Sequence, residues 1–133
     1  MKIPKGKLVF IIGKVGSGKS SVLYSLAGEM KQTNLNSADR PSISPPNCSM
    51  FRQGSVAILT DKSWLMPKSI KENICVGKPF EEDRLRHCIK ISQFDHDLAL
   101  MSDDIETVIG ENGVSLSGGQ RTRLSLARCL YQQ

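Results

Sequence analysis

The chain has 133 residues, enough for one domain with a core, and its 18 basic and 13 acidic side chains leave a net charge of +5. That balance argues against a nucleic-acid surface, because Lys and Arg are scattered from Lys2 to Arg128 without a run of five and only 5% of residues are aromatic. Cys48, Cys75, Cys88 and Cys129 contain no C-x-x-C pair, which points to reduced thiols rather than zinc. No apolar stretch reaches the ~20 residues of a membrane span.

The first predicted element is Leu8-Val9-Phe10-Ile11-Ile12, an unbroken apolar run ending at Gly13, the pattern of a buried parallel strand. Gly13-Lys14-Val15-Gly16-Ser17-Gly18-Lys19-Ser20 follows and matches G-x-x-x-x-G-K-[ST]. In that motif glycines let backbone N–H groups wrap a polyphosphate, the lysine reaches the β- and γ-phosphates, and the hydroxyl ligates Mg²⁺. The expected ligand is ATP or GTP. Lys19 would neutralise β/γ-phosphate charge, Ser20 would hold Mg²⁺, and Ser21 with the N–H groups of Gly16 to Ser20 would bind phosphate oxygens. Val22, Leu23, Leu26, Ala27 and Met30 recur at helical spacing, predicting a helix from Lys19 to about Lys31 with its positive end on the phosphates.

From Gln32 to Gln53 the composition turns to Asn, Ser and Pro, which reads as a surface insertion. Ser55 to Leu59 is a second strand candidate, and the polar residues from Thr60 to Pro67 predict a loop. A short helix is expected over Ser69 to Asn73 and a longer one over Glu81 to Ser92, opened by acidic residues that suit its N-terminus. Another helical piece should cover Phe94 to Met101. Ser117 can cap a last helix running to about Tyr131, and Ser117-x-x-Gln120 has the spacing of a capping box. In Leu116-Ser117-Gly118-Gly119-Gln120, a hydroxyl, two residues without side chains and a helix N-terminus make a compact phosphate clamp. Such a clamp is useful where another chain or domain supplies the nucleotide. Arg121, Arg123 and Arg128 then lie either on a solvated face or at an interface.

Leu116 to Gln120 resembles the signature sequence of ABC ATPases. Its position after the phosphate loop, Val56 to Leu65 with Ser69 to Ile74 between them, and Thr107-x-Ile109-Gly110-Glu111-x-Gly113 resemble the first nucleotide-binding domain of subfamily C transporters, the multidrug-resistance-associated and sulfonylurea-receptor group. The resemblance implies an α/β P-loop NTPase fold of the ABC ATPase type, a partial parallel sheet with a helical insertion subdomain. Its expected segments are the strand, loop and helix at 1–31, the insertion at 32–53, a strand and Q-loop at 54–68, a helical subdomain at 69–115 and the signature with its helix at 116–133.

The implied ligands are ATP and Mg²⁺, and the implied partners are a second nucleotide-binding domain, forming a sandwich, and transmembrane domains above the cytosolic face. Export of a substrate is then the implied function, with channel regulation and a soluble ATPase as alternatives. Asp61 stands where the family carries the Q-loop glutamine, so it is a candidate Mg²⁺ ligand whose charge repels the γ-phosphate. Neither a Walker B carboxylate nor a switch histidine precedes Gln133. The catalytic set is therefore expected to be incomplete in this chain, with Lys19 the residue present for transition-state charge.

Overall fold

The structure is a computed structural model describing residues 3–4, 6–30, 54, 56–60, 63–110 and 114–133. The expected insertion from Gln32 to Gln53, Asp61, and Glu111 and Gly113 of the segment before the signature lie outside these residues. Two compact units divide the chain, residues 1–54 and 55–133.

In the first unit a helix, α1, spans Lys19–Ala27. It stops short of the expected Lys31 because Gly28 adopts a left-handed φ of 86°. The Gly28 N–H then donates to Ser25 O at 3.0 Å and the Glu29 N–H to Tyr24 O at 2.9 Å. This pair of bonds closes the last turn on its own carbonyls, a conformation glycine adopts without a Cβ clash. The run from Leu8 to Ile12 pairs with no strand among the described residues, and Leu8, Phe10 and Ile12 are 81%, 78% and 91% exposed. Val56 to Leu59, in the second unit, is likewise unpaired. A parallel strand takes its hydrogen bonds from neighbouring strands, and the described residues supply none. The expected partial parallel sheet is therefore without a ladder among them.

The second unit is helical. Its elements are α2, Ile70–Cys75, α3, Glu82–Ile91, α4, Asp95–Leu98, a 3-10 turn over Asp104–Glu106, and α5, Gly118–Tyr131. The start of α2 is fixed by a reciprocal cap: Ser69 Oγ accepts from the Glu72 N–H, and the Glu72 carboxylate accepts from the Ser69 N–H. The Ser69 N–H bond in turn holds the Glu72 carboxyl below its ordinary range. α3 carries Glu82 and Asp83 in its first turn and Lys90 in its last, charges that match the helix dipole at each end.

Helix α5 lies against α2 and α3, and the core forms between them. Ile70, Ile74, Leu85, Phe94, Leu124 and Ala127 are fully buried there. Burying each large apolar side chain contributes roughly 2 kcal/mol. Polar contacts set the register. The Tyr131 hydroxyl donates to Pro79 O at 2.5 Å and accepts from the Glu81 N–H at 2.9 Å, fixing the end of α5 against the start of α3. Gln132 Nε2 donates to the carbonyls of Cys75 and Val76, capping the end of α2.

Asn73 is wholly buried. Its Oδ1 accepts from the Met66 N–H at 2.8 Å, and its Nδ2 donates to the carbonyls of Met66 and Ser69, each at 3.0 Å. From α5, Arg128 donates to Asn73 O at 2.6 Å, to Asn73 Oδ1 at 3.2 Å and to Trp64 O at 2.9 Å, with its guanidinium 4.2 Å from the Trp64 ring centroid. One amide thus ties the segment before α2 to the middle of α5.

Gly110 meets a second constraint. Its φ is 109°, and a Cβ there would lie 2.9 Å from Pro67 Cα.

Asn73→Ala removes several bonds at once and strands the Met66 N–H and the Arg128 Nη2 donor. It should lower unfolding stability by about 3 kcal/mol, read as a fall in urea midpoint, and a loss under about 1 kcal/mol would show that water replaces the amide. Gly110→Ala should cost about 2 kcal/mol through backbone strain and the Pro67 contact, read in the same titration, and a neutral result would refute the close approach.

Candidate functional site

The phosphate-loop residues lie together in the first unit. Gly16 and Gly18 have φ of 79° and 86°, left-handed values that let the chain curl between the apolar run and α1. Within the loop the Ser17 N–H donates to Lys14 O at 3.2 Å, and a Cβ on Gly13 would lie 2.7 Å from Ser17 Oγ. Lys19 Nζ donates to Gly13 O at 2.9 Å and Lys14 O at 2.8 Å, so its ammonium lies over the mouth of the loop.

Gly18, the residue before α1, offers no side chain to cap it, and the Val22 N–H is the first to reach back, to Gly18 O at 3.1 Å. Among the described residues, the N–H groups of Lys19, Ser20 and Ser21 have no acceptor at the positive end of the helix. Val15, Ser20 and Ser21 are exposed. A cation, bare N–H groups and an accessible hydroxyl fit a polyphosphate, with Ser20 as one oxygen ligand to its metal.

The signature residues form a separate set at the start of α5. Ser117 closes the predicted capping box: its Oγ accepts from the Gln120 N–H at 3.3 Å, and its own N–H donates to Gln120 Oε1 at 2.8 Å. Ser117 Oγ is an acceptor in this box, which does not use its hydroxyl proton. Leu116 is anchored in the core, whereas Ser117, Gly118 and Gly119 are exposed. A Cβ on Gly118 would meet nothing within 4 Å, and one on Gly119 would meet only the tip of Arg123 at 3.5 Å. Neither glycine has a positive φ. Nothing among the described residues requires glycine at these two positions.

The three arginines after the signature are not simply solvated. Each is used inside the second unit. Arg121 Nε donates to Leu116 O at 3.0 Å. Arg123 forms a two-point pair with Asp97, Nε to Oδ2 at 2.6 Å and Nη2 to Oδ1 at 2.9 Å, and Arg128 serves Asn73 and Trp64. Gln120 Nε2 joins the pair, donating to Asp97 Oδ1 at 3.3 Å. The Arg123 bonds, with a smaller share from Gln120, hold the Asp97 carboxyl below its ordinary range against the opposing effect of burial. Sequence reasoning missed Asp97 and Asn73. Both partner α5 across long separations, and no local spacing marks them.

A profile of the family described as ABC transporter matches residues 1–133. The chain is 43% identical, over 97% of its length, to bile pigment transporter 1 of Saccharomyces cerevisiae. It is 39% identical over 98% of its length to multidrug resistance protein fer6 of Mycosarcoma maydis, and 36% identical over all of it to ATP-binding cassette sub-family C member 8 of Cricetus cricetus. It spans 8%, 9% and 9% of those three proteins. With a phosphate loop in one unit and an outward-facing Leu-Ser-Gly-Gly-Gln helix cap in the other, and a profile match along its whole length, the chain belongs to the ABC transporter family.

Proposed function

We propose that this chain is the ATP-binding part of a subfamily C exporter in which ATP binding and hydrolysis drive movement of a substrate across a membrane. The carrying observation is the phosphate loop, with three unclaimed N–H groups at the α1 end and the Lys19 ammonium held over it. On this reading the N–H groups of Gly16 to Ser20 and the Ser21 side chain bind phosphate oxygens. Lys19 neutralises charge on the β- and γ-phosphates, and Ser20 offers its hydroxyl to Mg²⁺. Bound Mg²⁺ would supply charge neutralisation between the phosphates.

Ser117 to Gln120 act on the nucleotide of a partner domain. The free Ser117 hydroxyl proton and the N–H groups of Gly118 and Gly119 form the donors. The exposed glycines let a phosphate come closer than any side chain would allow. Asp61, at the Q-loop position, is assigned to the metal and attacking water, where its charge slows turnover. A second nucleotide-binding domain and transmembrane domains are the partners this arrangement calls for, with the chain at the cytosolic face of a membrane.

Lys19→Ala removes the charge-assisted contacts to phosphate and should weaken Mg·ATP binding by about tenfold to a hundredfold. Titration calorimetry reads this directly, and unchanged affinity would reject the loop as the nucleotide site. Gly118→Ala should leave the thermal midpoint unchanged or slightly raised, since alanine favours a helix by up to about 1 kcal/mol, while ATP turnover by the assembled transporter falls. Equal turnover with and without the added methyl would argue that no phosphate approaches this helix end.

A further inference from the structure

The capping box at Ser117 depends on an amide that could sit either way round. Gln120 must present Oε1 to the Ser117 N–H, because with Nε2 there instead, two donors would face each other. The far side of the amide decides which atom goes where. Asp97 Oδ1 lies 3.3 Å from Gln120 Nε2, and an ionised carboxylate only accepts, so the NH₂ end is drawn to Asp97 and Oε1 is left for Ser117.

Asp97 is itself locked. The Asp97 side chain is 12% exposed, and Arg123, one turn along α5 from Gln120, grips both its oxygens. The other half of the box is the Gln120 N–H on Ser117 Oγ, beside the exposed glycines. A continuous chain runs from Arg123 through Asp97 and Gln120 to Ser117, linking α4 to the signature.

We propose that Asp97 is a positioning residue for the signature: by fixing the orientation of the Gln120 amide, it keeps Oε1 on the Ser117 N–H and so holds the Ser117 backbone, and the helix end it caps, in place for a partner's nucleotide. The inference rests on the reading of Ser117 to Gln120 as a phosphate clamp, and it assigns that clamp a control point outside the motif. Asp97 touches no phosphate. It acts through Gln120, and its ion pair with Arg123 serves to hold its own oxygens still.

The test is ATP turnover by the assembled transporter containing this chain, with thermal melting alongside. Asp97→Ala should lower kcat about tenfold with KM for ATP unchanged, the scale expected when a reacting group's orientation is lost. Adding Asp97→Ala to Gln120→Ala should bring no further loss, since the effect passes through that amide.

The charge-swapped pair, Asp97→Arg with Arg123→Asp, separates stability from positioning. It restores the ion pair and the melting midpoint, yet it turns a donor toward Gln120, draws Oε1 away from Ser117 and leaves turnover low. Recovery of turnover in the swap would overturn the proposal and reduce Asp97 to a structural anchor. So would additive losses in Asp97→Ala with Gln120→Ala. Ser117→Arg separates the two levels of the argument. If it leaves turnover intact, the phosphate-clamp reading falls and this inference with it. If it abolishes turnover while Asp97→Ala does not lower it, this inference alone is wrong.

Discussion

The second unit depends on a half-buried guanidinium that has no carboxylate partner among the described residues. Arg128 reaches from α5 to the Asn73 carbonyl, the Asn73 side chain and the Trp64 carbonyl, and its face lies on the Trp64 ring. Burial lowers its pKa from the usual arginine value, yet arginine keeps its proton and must have acceptors. Neutral carbonyls supply them. An ion pair would satisfy the charge with one side chain, whereas carbonyls must be brought in by the backbone. The segment around Trp64, the turn before α2 and the middle of α5 are thereby forced into one geometry. The apolar core would tolerate several packings, and this polar knot selects one of them.

The signature is steadied from the same helix by different means. Leu116 is pulled into the core, Arg121 holds its carbonyl, and Asp97 with Arg123 fixes the next turn. Only the three small residues Ser117, Gly118 and Gly119 remain outward. The helix end is therefore rigid behind and bare in front, the arrangement a binding surface needs if little entropy is to be lost on contact. The phosphate loop is built on the other principle. Its own lysine bonds its own carbonyls, and the first backbone N–H groups of α1 have no acceptor among the described residues.

What the sequence revealed, and what it hid, follows from the range of each interaction. The capping box at Ser117 joins residues three apart, so spacing alone announced it, and the phosphate loop was legible for the same reason. α3 was marked by its charged ends and apolar stripe. Gly28, by contrast, ended α1 before the periodicity did, because an apolar repeat records which face is buried and not where a left-handed residue breaks the ladder. Asp97, Asn73 and the contacts of Arg123 and Arg128 were invisible, since each joins α5 to residues far upstream. Glycine shows the same divide: Gly110 is needed for its conformation and for Pro67, while Gly118 meets nothing nearby, and the bare sequence cannot distinguish those reasons.

The sequence contains a single tryptophan, and the structure seats it on the Arg128 guanidinium. Indole emission is sensitive to a charge at that distance, so Trp64 is a built-in optical reporter of whether α5 and the segment ahead of α2 stay in register. Any rotation of the signature helix against that segment would lift the cation off the ring and change the signal, without a label and with no competing indole in the chain.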